Sequence, residues 1–120
     1  MRISEIRRLL NARVLTSSIF NDTDILYVFA SDMMSDVLAY ADKRMILVTS
    51  LTNPQVIRTA EMMDINCILY VRGKVPSNIV IAMAEERHIT MLAINYCMFD
   101  TCGILYDAGL RGGKVYASNK

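Results

Sequence analysis

Apolar positions at two spacings alternate along this chain. Ile3, Ile6, Leu9 and Leu10 recur with a helical period, so a short amphipathic helix is predicted over residues 4–10. Ala12 to Thr16 and Asp24 to Ala30 read as strands separated by the polar turn Asn21-Asp22-Thr23. Ser31 or Asp32 is placed to cap a helix whose face carries Met33, Val37, Leu38 and Ala41. A regular strand–helix rhythm follows. Met45 to Thr49 is an apolar strand. Asn53 caps and Pro54 opens a helix running to about Asp64 and burying Val56, Ile57, Ala60 and Met63. Cys67 to Val71 is the next strand, Arg72-Gly73-Lys74 a turn, and Ser77 to Arg87 a helix. Thr90 to Ile94 is the last strand, before a helix from Met98 to Ala108 that Gly109 ends.

Short strands that are apolar throughout, alternating with helices, imply a parallel sheet covered on both faces. The expected fold is therefore α/β, three-layered α/β/α with a largely parallel central sheet and right-handed crossovers. At 120 residues the chain fits one domain. We assign residues 1–110 to it and 111–120, with Gly112-Gly113, to a flexible C-terminal tail.

Composition narrows the function classes. Hydrophobic residues form 53% of the chain, yet no apolar run reaches the ~20 residues of a membrane span. Thirteen Lys and Arg against twelve Asp and Glu are dispersed, without the basic stripe that nucleic-acid binding requires. No signal peptide is read before the first helix, since Arg7 and Arg8 interrupt it, and Cys67, Cys97 and Cys102 form no metal-ligand pattern. These features predict a cytoplasmic protein with reduced thiols, no metal and no cofactor, and contact with neither membrane nor nucleic acid. Nine methionines and a near-zero net charge favour contact with a partner, first of all a second copy of the chain. The surface expected to be shared combines the strand Ile25–Ala30 with the helix Met33–Ala41.

In an open parallel sheet, ligands favour the crevice beyond the carboxyl ends of the strands. Three turns lie there: Thr49 to Asn53, Arg72-Gly73-Lys74, and Asn95-Tyr96. Thr49, Thr52, Asn53, Arg72, Gly73, Lys74 and Asn95 are thus candidate ligand-binding residues. They offer hydroxyls, amides, two cations and backbone N–H groups to a nucleotide or another small anion. Asp32 and Asp36, one helical turn apart with Ser35 between them, suit acid–base or metal chemistry only with a third group, and none is visible. His88 stands alone after Glu85, Glu86 and Arg87, and no Ser or Cys has a discernible base, so no enzyme is expected.

The run Ser31-Asp32-Met33-Met34-Ser35-Asp36-Val37-Leu38, followed by Thr49 and Thr52-Asn53-Pro54, resembles the DRTGG domain family. The likeness continues through Arg72-Gly73 before Pro76 to Phe99 and Gly103-Ile104-Leu105-Tyr106. No Asp-Arg-Thr-Gly-Gly stands between Asn21 and Phe29, where the residues naming the family should fall, and Tyr27 lies near a usual glycine. The resemblance implies a fold like the N-terminal domain of HPr kinase/phosphorylase, and a non-catalytic regulatory module that dimerises. It makes Ser31, Asp32, Ser35 and Asp36 motif or interface residues. The alternative it leaves open is a ligand-free subunit of a larger protein complex, either redox (iron-hydrogenase-linked) or signalling.

Overall fold

A computed structural model of the chain describes residues 1–113. Among them are five helices and five strands, in the order α1 Ile3–Leu10, β1 Arg13–Val14, β2 Tyr27–Ala30, α2 Met34–Tyr40, β3 Met45–Thr49, α3 Gln55–Met62, β4 Cys67–Tyr70, α4 Asn78–Glu86, β5 Thr90–Ala93 and α5 Met98–Asp107. The strands form one sheet in the order β1-β5-β4-β3-β2. β2 to β5 are parallel neighbours, with Val28 beside Ile46, Leu47 beside Ile68 and Leu69 beside Leu92. β1 runs antiparallel to β5 through Arg13–Ala93 and Val14–Leu92.

The apolar strands β3, β4 and β5 are buried at every position because both sheet faces are covered. Their side chains alternate between two cores. Met45, Leu47, Ile68, Tyr70 and Met91 meet α2, α3 and α4, through Val37, Val56, Ile57, Val80 and Ala84 among others. Ile46, Val48, Leu69, Leu92 and Ile94 meet Ile3, Ile6 and Leu10 of α1 and Leu105 of α5. The physical cause is handedness. Strands laid down in one direction with right-handed crossovers place every connecting helix on the same face. The other face is left to the first and last helices.

Helix α2 differs from its expected face. It buries Met34, Val37 and Ala41, while Met33 and Leu38 point to solvent. Met33 is still extended at φ −100°, so the helix starts one residue later and its sheet-facing stripe follows Met34. Asp32 does not cap it: the Ser31 hydroxyl accepts from the Met33 N–H at 3.0 Å, and the Asp32 carboxylate turns elsewhere.

At the far edge, Val28 N–H donates to the Arg111 carbonyl at 3.0 Å, and the Arg111 guanidinium lies 3.6 Å above the Tyr106 ring. The chain is thus held beside β2 at Arg111. Of the tail assigned to 111–120, the part from Lys114 to Lys120 lies outside the described residues.

Candidate functional site

The three turns singled out in the sequence stand together at the carboxyl edge, as parallel strands require, but they split into two different environments. On the β2–β3 side the polar groups bind one another. The Asp32 carboxylate accepts from the Thr49 hydroxyl at 2.8 Å, the Ser50 N–H at 2.7 Å and the Ser50 hydroxyl at 2.7 Å. The Thr49 hydroxyl oxygen also accepts from the Leu51 N–H. Burial would raise the Asp32 carboxyl, but these donors, together with the positive charge of Arg72, outweigh it and hold the group below its ordinary value. The Asn53 side-chain oxygen accepts from the Gln55 N–H at 3.0 Å, so this residue is used as the cap of α3. Thr52 is half-buried in the same turn. The result is a clip between two loops, already satisfied.

Ser35 and Asp36 sit exposed on α2 and make no side-chain hydrogen bond to a described residue. Asp36 therefore takes no part in the Asp32 clip, and no group of three or more His, Cys, Asp or Glu able to hold a metal occurs among the described residues.

The β4–α4 turn corrects a further expectation. Arg72 and Gly73 are both left-handed, at φ +60° and +69°. This conformation turns their N–H groups inward: Arg72 donates to the Tyr96 carbonyl, Gly73 to Ile94 and Lys74 to Val71. No N–H of this turn remains for an anion. The side chains of Arg72 and Lys74 are exposed instead. A Cβ at Gly73 would also stand 3.3 Å from the side-chain oxygen of Asn95, which would have to give way.

Beside this turn opens a cleft of about 500 Å³, bordered by Gly73 and Val75 after β4 and by Asn95 and Tyr96 after β5. Leu10, Ala93 and Ile94 supply apolar surface, and Asn11 and Arg13 close the third side. Its position follows from topology. The chain leaves β4 for α4 on one face of the sheet and β5 for α5 on the other, so the loops diverge and leave a crevice between them. Of the seven candidate ligand-binding residues, Gly73 and Asn95 line it.

Asn11 and Arg13 were not among the candidates. Asn11 is the left-handed cap of α1, and Arg13 reaches the cleft only because the two-residue β1 pairs with β5. No local signal in the sequence announces that pairing. The cysteines are free: Cys67 is buried, Cys102 half-buried and Cys97 exposed.

The DRTGG domain family matches residues 5–108 of the chain. No curated protein matches it. Among solved structures, the chain is similar to the CBS and DRTGG domains of the regulatory region of Clostridium perfringens pyrophosphatase, determined in complex with the activator diadenosine tetraphosphate. The TM-score is 0.67 at 14% identity; the match covers 96% of this chain and 52% of that one, so the chain spans about half of its neighbour's length. The likeness establishes the same α/β fold. No helix among the described residues is long and apolar enough to cross a membrane.

Proposed function

The chain belongs to the DRTGG domain family, and from that premise we propose that it is a non-catalytic regulatory module that senses a nucleotide or another small anion and works as a homodimer. The observation that carries the reading is the cleft at the carboxyl ends of β4 and β5. It lies where the crossovers part to opposite faces, the place at which open α/β sheets take their ligands. Gly73 and Asn95 form its border, and Arg72 and Lys74 supply exposed positive charge on the adjoining turn. Thr49 and Asn53 serve the fold, being held by Asp32 and by the α3 N-terminus. A pyrophosphatase regulatory region of the same fold that is activated by a dinucleotide supports the sensing role.

The test is a thermal-shift screen of the purified chain over nucleotides and small anions. A ligand at about 100 times its dissociation constant adds roughly 2.7 kcal/mol, enough for a clear rise in midpoint. No rise with any of them would remove the sensing reading.

One observation favours a second reading, a ligand-free subunit of a larger assembly. Phe99 and Ile79, each the second residue of its helix, are 85% and 75% exposed at the same edge of the sheet as the cleft. A flat thermal-shift screen together with co-purification of a defined complex, lost on Phe99→Ser, would select it.

A further inference from the structure

Four polar side chains border the cleft from two separate segments: Asn11 and Arg13 from one, Asn95 and Tyr96 from the other. None makes a side-chain hydrogen bond or ion pair to a described residue; the ion pairs among the described residues are elsewhere, at Met1–Asp24 and at Arg87 with Glu61 and Glu86. A guanidinium, two carboxamides and a phenol are therefore open around an apolar floor of Leu10, Ala93 and Ile94. This combination specifies a ligand more closely than the word anion does.

One cation lines the cleft itself, Arg13; Arg72 and Lys74 stand exposed on the adjoining turn, outside that lining. The N–H groups of residues 72–74, which in a phosphate-binding loop would cradle several phosphoryl oxygens, are spent on Tyr96, Ile94 and Val71. A chain of phosphates also travels with a divalent cation, and no Asp or Glu lines the cleft to hold one. What remains suits one phosphoryl group, gripped by a forked guanidinium. The two carboxamides present donor and acceptor together, the pairing that reads a nucleobase edge. The half-exposed Tyr96 ring and Val75 offer surface for a planar body. At about 500 Å³ the volume lies within the range of pockets that enclose a ligand of this size.

We propose that the cleft between the β4–α4 and β5–α5 loops binds a nucleoside monophosphate, with Arg13 on the phosphate and Asn11 and Asn95 on the base. This rests on the sensing role proposed above and narrows it. Arg13, rather than Arg72, is the residue that holds the charge of the ligand.

Isothermal titration of the whole chain compares adenosine and guanosine 5′-monophosphates with the matching nucleosides, triphosphates and inorganic phosphate. A monophosphate binds more tightly than its nucleoside, its triphosphate or free phosphate. Arg13→Ala weakens it about tenfold or more, the loss of a charge-assisted fork, whereas Arg8→Ala, an exposed arginine outside the cleft, leaves it unchanged. Asn95→Ala lowers the discrimination between the two bases. A triphosphate or bare phosphate binding more tightly, or Arg13→Ala and Asn95→Ala both binding as the wild type does, overturns the assignment while leaving anion sensing intact. Binding by no probe, with a flat thermal-shift screen, removes both. Melting temperatures of the variants confirm that each is folded, and Tyr96→Ala, altered at an exposed ring, reads the same cleft should Arg13→Ala fail to fold.

Discussion

The Asp32 carboxylate accepts three hydrogen bonds, one of them from the fully buried Thr49, and its pKa is held below the model-compound value of 3.8. A depressed carboxyl contributes stability that is complete above its unfolded pKa and is lost as the pH falls through its folded pKa. The wild-type urea midpoint therefore declines on acidification below about pH 4. In Asp32→Asn that acid limb is shallower, and stability at neutral pH falls by about 1 kcal/mol. Asp22, lowered chiefly by its hydrogen bond from Ser4, keeps part of the slope in the variant. Parallel pH profiles for the two proteins would show that the clip contributes nothing. Gly73 makes a second demand at this scale. An alanine there meets both φ +69° and the Asn95 side chain at 3.3 Å, so Gly73→Ala costs about 1 kcal/mol in denaturation. It also displaces Asn95, which a change in ligand affinity would report.

Elements in this chain are finished by residues from outside them. α1 has Arg2 at its N-cap, a residue with no capping oxygen, and the missing acceptor comes from Asp22, whose carboxylate takes the Ser4 N–H at 2.9 Å and the Ser4 hydroxyl at 2.5 Å. Asp22→Ala is expected to cost about 1 kcal/mol, the usual worth of a cap, and to speed amide exchange at Ser4 while leaving the α4 amides unchanged. Unaltered exchange at Ser4 would count against it. α4 needs no such help, since Ser77 accepts from the Val80 N–H within its own first turn. The same dependence on neighbours set the face of α2. Its apolar residues allow two stripes, one through Met33 and Leu38 and one through Met34, Val37 and Ala41. The Ser31 turn and the sheet beneath selected the second.

For the molecule as a whole, the outward residues bear on association. The outer edge of β2 is engaged at Val28 by Arg111, so strand-to-strand pairing between copies is blocked there. The proposed dimer then falls to the solvent face of α2, where Met33 is 58% exposed. Light scattering at micromolar concentration is expected to give twice 13.6 kDa, and Met33→Lys to return the monomer mass while the chain stays folded, because the side chain lies outside the core. A wild-type mass of 13.6 kDa would dispose of the homodimer.

Periodicity by itself determined the elements and the class of fold. Continuous apolar runs such as Met45–Thr49 and Cys67–Val71 are stable only between two helical layers, and right-handed crossovers leave little choice of order for β2 to β5. It also located the carboxyl-edge turns, because every parallel strand ends on the same side. The tertiary structure alone decided which of those turns is open. Whether Thr49 faces a ligand or the protein depends on Asp32 reaching across from a different loop, while Asn53 is taken by the Gln55 N–H at the start of α3. The cleft required β1, two residues long, to pair with β5 and carry Arg13 eighty positions along the chain to Ala93. Local preference reads neighbours in sequence; a site assembled from Asn11, Arg13, Gly73 and Asn95 is a property of neighbours in space.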